Sequence, residues 1–568
     1  MRYNKFIYVY YRNREKILGI LFASSIILWL LTIVATRISE FPPDTLHYIK
    51  QLPIFYWAGM MLNCVTLILL FGKSTEKRGL LHFIFIINLI LYIFGTPSFI
   101  YPYPRILDVT GVSKGVNSLI NTGSLITSGE YSYAYYLNEF PGSAIFFSMI
   151  CQTLDISVIS FANYYPIYLM FIISLLVYTI TEKITKRYAF LASAAYLSLT
   201  HVQEYNLSPQ AHALTLTAVL LLLIIRFFAA RHVDNTTIIF NNLLIIILWS
   251  SIIISHPATP IYNLISLIFI YFTYLSFKFV NFLSLKKEPC LCLNKISKNI
   301  KIIEHFIVLF GIMYIAYLLY YSDFMLDKVI LVAKLIMNNI LNNDGMYVID
   351  TVLVSYPEIS YILLYRLRWM EIIGTALLGV FSIFILFFGI EKKTLTFFVS
   401  SLFMGYALIS VFFIIFGYGY AATRAYIFLL IPYSVLTSMI WDIKLGFKKD
   451  RVVKYFMLFK IMGVLFLISS LLLLPISIYG GDPYNFVSES ELARENFTQK
   501  HISNSIIVDT YDILQHKISR EDIVQFHAYW YNLLQLKQQA GMEYINELES
   551  SKFDKFYDNP QSKIYQKR

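Results

Sequence analysis

The sequence predicts an all-α polytopic membrane protein with about 13 transmembrane helices and a small C-terminal α/β appendage. Hydrophobic residues make up 57% of the 568 residues and charged residues only 14%, against about 25% charged residues in an ordinary soluble domain. Apolar stretches long enough to cross a bilayer recur along the chain, and Lys and Arg concentrate in alternate loops. This composition excludes a soluble enzyme, a disordered chain and a nucleic-acid-binding module. We therefore assign the net charge of +11 to cytoplasmic loops rather than to a nucleic-acid partner.

A helix needs about 20 mostly apolar residues to cross the hydrocarbon core of a bilayer. Because lipid offers the backbone no hydrogen bonds, each such stretch is expected to be helical. The predicted spans are 17–36, 54–72, 80–96, 161–180, 189–206, 211–229, 238–254, 260–277, 303–321, 371–390, 395–416, 425–441 and 461–479.

The distribution of basic residues predicts the orientation of these spans. With the N-terminus in the cytoplasm, the inner loops hold 27 Lys and Arg against 8 Asp and Glu, whereas the outer loops hold 9 and 12. This separation requires that the further apolar segment 141–160 does not cross. We interpret that segment as a re-entrant or interfacial helix on the outer side. The protein is then a multi-pass plasma-membrane protein with an extracytoplasmic C-terminus.

Composition divides the chain into a membrane domain, residues 1–479, and a tail, residues 480–568. The membrane domain carries two large outer loops, 97–160 and 322–370. The tail has 10 basic and 13 acidic residues and no long apolar run.

Local patterns in the tail predict mixed secondary structure. Ser488–Glu491 is typical of a capping box that opens a helix through about residue 499. Ser505–Asp509 predicts a short buried strand, and residues 519–550 are expected to be helical. We expect a small appendage docked on the membrane domain.

Ionisable residues are scarce within the spans, which argues against a pump or a proton-coupled transporter. Conspicuous polar side chains lie instead at the outer ends of the spans, in five separate loops. These residues are Asp44, His47, Asp108, Lys114, His201, Glu204, Gln210, His256 and Arg424. A lipid-borne donor and a soluble acceptor could meet where such loops converge.

The order of these features resembles the GT-C superfamily of integral-membrane glycosyltransferases, in particular its archaeal-type members. An acid in an outer loop is followed by interfacial helices, a crossing helix, a basic inner turn and a returning helix. Polar motifs, a late Arg at an outer helix end and a soluble tail then follow. The matching residues are Asp108, Gly123, Tyr136–Gly142, Lys183–Arg187, Ser208–Leu214, Ser255–Thr259, Arg424 and the predicted strand 505–509.

The resemblance implies a hexosyltransferase that moves a sugar, such as mannose, from a dolichyl-phosphate or other polyprenyl-phosphate donor to a protein or glycan acceptor at the outer face. Asp108 would be the general base. Asp44 is the alternative catalytic acid, if the first span of this chain corresponds to the first helix of the family. Arg424 would neutralise the leaving phosphate, and His256 would help to hold phosphate or acceptor.

Other residues complete the expected site. Gln210 and Lys114 are expected substrate-binding residues. Glu204 together with Asp108 would bind a divalent cation, Mg or Mn, through oxygen ligands.

Two other classes of function remain open at this point. The first is a flippase for lipid-linked oligosaccharides, or another lipid or polysaccharide transporter. Its polar path would be lined by Asn63, Asn88, Asn163, Asn241, Asn242 and Asn263. The second is a non-catalytic scaffold or receptor that binds partners through its tail.

Overall fold

The computed structural model describes the helical bundle and four short segments of the tail. The described residues are 2–36, 47–71, 79–101, 104, 108–125, 132–185, 188–201, 205–229, 235–283, 291–322, 325–327, 329–330, 334, 337, 359–388, 393–415, 419–442, 450–479, 507–508, 523–526, 553–559 and 562–567.

The membrane domain is built from helices. In chain order they are α1 (Arg2–Ala35), α2 (His47–Gln51), α3 (Ile54–Leu70), α4 (Gly79–Ile90, continued by a π-helical turn, Leu91–Gly95), α5 (Thr96–Ile100), α6 (Asp108–Thr122), α7 (Ser132–Glu139), α8 (Gly142–Leu154), α9 (Val158–Ile184), α10 (Ala189–Leu199), α11 (Pro209–Ala229), α12 (Asn235–Ser255), α13 (Ala258–Leu283), α14 (Leu291–Tyr321), α15 (Ile359–Phe388), α16 (Lys393–Ile415), α17 (Gly419–Asp442) and α18 (Asp450–Tyr479).

Ten helices of the described chain are long and apolar enough to cross a membrane, so the protein is a multi-pass membrane protein. They correspond to ten of the 13 predicted spans. The other three predicted spans are also helical, but with different bounds. Helix α3 has 17 residues, α10 has only 11, and α15 begins at Ile359 rather than at residue 371. Residues 359–370, predicted to belong to an outer loop, are therefore the start of a helix.

Segment 141–160 does not form one continuous helix. Helix α8 ends at Leu154, and Asp155 follows in the left-handed conformation with a φ of 51°. The side chain of Ser157 then caps α9 by accepting a hydrogen bond from the backbone N–H of Ser160, 3.1 Å away. Helix α8 has 13 residues and is roughly 20 Å long. It is too short to cross a hydrocarbon core of about 30 Å by itself.

Helix α10 lies at the centre of the bundle, and all of its residues are buried. It packs against α4, α9, α17 and α18. A helix that is apolar on every face is stable only when it is surrounded by other elements. Its short length therefore does not expose its ends to lipid.

The π-helical turn after α4 leaves backbone carbonyls that other helices satisfy. The indole Nε1 of Trp29 donates to the carbonyl of Leu91 at 3.1 Å, and the hydroxyl of Tyr479 donates to the carbonyl of Ile93. Such turns break the regular ladder of a helix and often lie near functional sites. Here the turn is held from two sides, by α1 and α18.

The tail contains four described strands, β1 (Ile507–Val508), β2 (Ile523–Phe526), β3 (Phe553–Asn559) and β4 (Ser562–Lys567), in the order β1-β2-β4-β3. Strand β1 pairs in parallel with β2, and the other pairs are antiparallel. Strand β1 lies within the predicted strand 505–509. The predicted helix 519–550 is wrong at residues 523–526, because these residues, which include the β-branched Ile523 and Val524, form strand β2 and pair with both β1 and β4. The predicted helix 488–499 lies outside the described residues, so the α/β character of the whole appendage stays a prediction.

Candidate functional site

Between α10 and α11, the described residues 200–201 and 205–208 are non-helical and buried, although the predicted span 189–206 includes most of them. Helix α10 ends at Leu199, and α11 begins at Pro209. The hydroxyl of Ser208 caps α11 by accepting from the backbone N–H of Ala211 at 3.1 Å. A cap residue directly before a proline at the first helical position is a strong signal for a helix start. The surrounding protein shields this part of the backbone, since His201 and residues 205–208 are buried.

In this connection, His201 lies against a buried carboxylate. The Nδ1 atom of His201 lies 3.0 Å from Oε2 of Glu371 on α15, and both side chains are almost completely buried. The hydroxyl of Ser477 donates to the same carboxylate oxygen at 3.3 Å. The ring of Tyr426 lies 5.2 Å from the His201 ring, measured between centroids. Three helices, α15, α17 and α18, therefore converge on the end of α10.

Glu371 was missed by the sequence analysis. It is the one acid between residues 359 and 388, and it lies at a predicted span boundary, where a solvated acid is expected. A single carboxylate within a long apolar helix was the available signal, because such groups are usually functional or paired.

A second buried polar side chain, His256, lies in the turn between α12 and α13. His256 is buried between these two helices, and the backbone N–H of Thr259 donates to its Nδ1 at 3.1 Å. With Nδ1 accepting, the proton of the neutral ring is on Nε2, which is a donor. Burial, and to a smaller extent the positive charge of Arg424, holds the pKa of His256 well below its ordinary value. The site therefore presents a neutral N–H donor close to a guanidinium cation.

The segment that leads into α8 packs directly on the His256 turn. The ring of Tyr136 lies 6.4 Å from the ring of His256. At Gly142 a Cβ atom would lie 2.7 Å from the Ser255 hydroxyl, so a larger residue would push the two segments apart. The Glu139 carboxylate accepts from the hydroxyl of Ser322 at 2.6 Å. These contacts tie α7, α12 and the end of α14 together.

Asp108 is the first residue of α6, and its side chain is outside the described part of the structure. Its neighbour Val109 lines a small cavity of about 20 Å³ together with Asn206 of the α10–α11 connection. Helix α6 packs against α7, α8 and α9. The start of α6 therefore lies beside the connection that contains His201. Lys114 lies farther along α6 and is half-buried.

Three other predicted site residues have different outcomes. Asp44 and Glu204 lie outside the described residues, and with Glu204 so does the proposed cation site that it shares with Asp108. Among the residues that the structure describes, no group of three or more His, Cys, Asp or Glu side chains could hold a metal ion. Gln210 is buried to 97% in the first turn of α11, and neither end of its amide has a hydrogen-bond partner among the residues that the structure describes.

An apolar groove of about 420 Å³ opens between the helix 79–100 and α9. Its lining residues are Ile87, Ile90, Leu91, Tyr164, Ile167, Tyr168 and Phe171. The small cavity next to Val109 is lined by residues of the same two helices. Phe94 and Ser98 belong to the helix 79–100, and Asn163 and Pro166 belong to α9. The groove and the cavity therefore succeed each other along one pair of helices.

Four of the asparagines that a transporter would need along a polar path are used in contacts between segments. Asn63 and Asn88 hydrogen-bond each other at 2.8 Å. Asn163 donates to the carbonyl of Ser98 at 3.1 Å, and Asn263 donates to the hydroxyl of Thr217 at 2.9 Å. Asparagine side chains commonly hold membrane helices together in this way.

Comparison with known proteins assigns no family to the chain. No model of a known protein family matches it, and no curated protein matches it significantly. The geometry of the site is therefore the basis for any statement about function.

Proposed function

We propose that the protein is a GT-C-type glycosyltransferase that transfers a hexose from a polyprenyl-phosphate donor to a protein or glycan acceptor. The observation that carries the proposal is that the buried His256 lies within range of the positive charge of Arg424, which together with burial holds the pKa of His256 below its ordinary value. A guanidinium next to an N–H donor suits a phosphate, since charge and hydrogen bonds act on the same oxygens. We place the reaction on the outer side of the plasma membrane.

The apolar groove supports a lipid donor. It lies between two helices that can each cross the membrane, and its lining side chains are aliphatic and aromatic. A hydrocarbon chain is therefore a suitable ligand for the groove. The polyprenyl chain would lie there, with its phosphate directed toward the polar end of the same helix pair. The small cavity beside Val109 marks that end.

The proposed reaction is a single displacement. An acceptor hydroxyl attacks the anomeric carbon of the sugar, and the bond between that carbon and the phosphate oxygen breaks. The leaving polyprenyl phosphate keeps the electron pair, and its charge is stabilised by Arg424. The acceptor proton goes to Asp108 as general base, with Asp44 as the alternative. Gln210 and Lys114 would contact substrate, and Glu204 with Asp108 would hold Mg or Mn.

The test measures release of free dolichyl phosphate from dolichyl-phosphate mannose and dolichyl-phosphate glucose by the purified full-length protein, with and without Mn or Mg. We expect Arg424→Ala to raise KM for the donor by about 10- to 100-fold, because a hydrogen bond to a charged group contributes about 1.5–3 kcal/mol. Arg226→Ala is the matched control, since Arg226 is an exposed cation at the far end of α11.

The aspartates are tested in the same assay. Asp108→Ala is expected to abolish release, and Asp44→Ala to abolish it instead if Asp44 is the base. Full activity in both variants would refute the base assignment. Absence of release by the wild type with either donor would reject these donors, and transbilayer movement of a fluorescent lipid-linked oligosaccharide in proteoliposomes would then favour the flippase.

A further inference from the structure

Helix α9, which is long and apolar enough to cross the membrane, is interrupted by a proline beside a cavity. Pro166 lies inside this helix, and because proline has no backbone N–H, the carbonyl of Ala162 four residues earlier loses its helical hydrogen bond. In a membrane helix such a carbonyl is paired by a neighbouring side chain, an ordered water or a local change of helix geometry. Ala162 and Pro166 both line the cavity of about 20 Å³. The gap in the hydrogen-bond ladder of α9 therefore lies at this cavity.

Asn163, the next residue of α9, brings a second oxygen to the same place. Both hydrogens of its amide are used, since Nδ2 donates to the carbonyl of Ser98 at 3.1 Å and to that of Tyr101 at 3.0 Å. The amide oxygen remains as an acceptor. Asn163 lines the cavity, and only 7% of its surface is exposed. Two acceptors from adjacent residues therefore meet at one small space.

The size and the charge of the cavity indicate which ligand it takes. One water molecule needs about 10–15 Å³ and two to four polar partners, so about 20 Å³ leaves room for a single water and for no larger molecule. The described residues that line the cavity are all uncharged. An ion would lose its hydration there without a counter-charge, which is costly. A water molecule has two O–H donors, and the cavity offers two acceptors.

We infer that the cavity binds one ordered water molecule, which donates one hydrogen bond to the carbonyl of Ala162 and the other to Oδ1 of Asn163. The water replaces the N–H that Pro166 lacks and restores the pairing of α9. The facing helix pairs its own irregular turn with side chains, because carbonyls of the π-helical turn accept from Trp29 and Tyr479. The water site is independent of the proposed glycosyl transfer.

Hydroxyl-radical footprinting by X-ray radiolysis tests the inference on the purified full-length protein, because radicals formed from a bound water oxidise the side chains next to it. Phe94 lines the cavity, whereas Phe85 does not. Both rings belong to the helix 79–100 and are almost completely buried, with 1% and 0% exposed. In the wild type we expect Phe94 to be oxidised about tenfold faster than Phe85, since a bound water lies beside Phe94 alone. Equal rates for the two rings would overturn the inference.

Two variants test the position of the water. Ala162→Val adds two methyl groups to a cavity of this size and is expected to expel the water, so that the oxidation rate of Phe94 falls to that of Phe85. Pro166→Ala returns an N–H to α9, which pairs the Ala162 carbonyl and leaves the water with one acceptor, fewer than it needs. The same decrease is expected, and this variant serves if Ala162→Val does not fold.

Ala407→Val is the matched control, since it makes the same substitution at a half-buried position of α16 and should leave the rate of Phe94 unchanged. If Phe94 keeps its wild-type rate in Ala162→Val and in Pro166→Ala, no water is bound between these residues and the inference is wrong.

An exchange of salt separates water from a cation. A water site predicts the same thermal unfolding midpoint, Tm, and the same Phe94 oxidation in sodium chloride and in choline chloride. A Tm that is higher in sodium chloride, with the increase lost in Ala162→Val, would assign the cavity to a sodium ion and would overturn the water.

Discussion

Asn263 and Gln210 carry the same carboxamide group and are buried to nearly the same extent, with 4% and 3% of their surfaces exposed. Their surroundings differ completely. The amide of Asn263 donates to Thr217 at 2.9 Å and accepts from the Tyr406 hydroxyl at 2.8 Å. The amide of Gln210 has no partner at either end among the described residues. Thr217 and Gln210 even share one helix, α11, about two turns apart.

The difference separates two uses of polar groups in one membrane protein. The paired amide of Asn263 on α13 stabilises the bundle by linking α11 and α16. Without it, the hydroxyls of Thr217 and Tyr406 would lose a hydrogen-bond partner in an apolar environment. An unpaired amide beside an irregular connection stabilises nothing in the free protein. The two positions are therefore expected to respond oppositely to the loss of their polar atoms.

The largest expected effect on stability is at the paired site. Asn263→Leu leaves Thr217 and Tyr406 without their amide partner, and we expect a loss of about 2 kcal/mol, since each buried group left unpaired costs about 1–3 kcal/mol. Titration with a denaturing detergent measures the change. Asn241→Leu on α12 makes the same substitution at a half-buried position and is expected to cost much less.

A double variant sharpens that result. If the cost comes from the hydrogen bond, Tyr406→Phe should destabilise the wild type but add little in the Asn263→Leu background. Equal losses in both backgrounds would mean that Asn263 acts through packing alone.

The sequence predicted the positions of ten crossing helices because the physics of the bilayer acts locally. About 20 apolar residues must be helical in lipid whatever lies beside them. The same signal failed at α10. The predicted span 189–206 was extended over a polar stretch that contains His201, Glu204 and Asn206, where hydropathy already falls. The cap at Ser208-Pro209 was the local feature that marked the start of α11.

The candidate site was harder to predict because its contacts join distant parts of the chain. His201 and Glu371 are 170 positions apart in sequence and 3.0 Å apart in space, and no periodic pattern encodes such a pair. His256 and Arg424 were identified from their places at span ends, but their proximity was not. The asparagines were read as a polar path because composition alone does not show which of them are paired.

His256 lies between the two cases, with Nδ1 paired to Thr259 and Nε2–H as a donor, and pH can probe it. Its pKa in the folded protein is lowered, so as pH falls below about 6.5 the unfolded chain binds a proton first. Stability that is complete above that pH is therefore lost as the pH decreases, by up to about 1.4 kcal/mol per pH unit. Unfolding measured between pH 7.5 and 5 should show a shallower slope for His256→Asn.

Arg424→Ala separates the two causes of the lowered pKa. Burial is the larger cause and the Arg424 charge the smaller, so this variant should retain most of the wild-type slope. A slope as shallow as that of His256→Asn would show that the charge of Arg424 dominates, contrary to the structure.

The smallest expected effect is at the unpaired site. Gln210→Met replaces an amide without partners by an apolar side chain of similar length, and removing unpaired buried polar atoms is neutral or stabilising. We expect the ligand-free protein to unfold at an unchanged or slightly higher denaturant concentration, by at most about 1 kcal/mol. A loss comparable to that of Asn263→Leu would mean that Gln210 is paired in the free protein, and the distinction between the two amides would disappear.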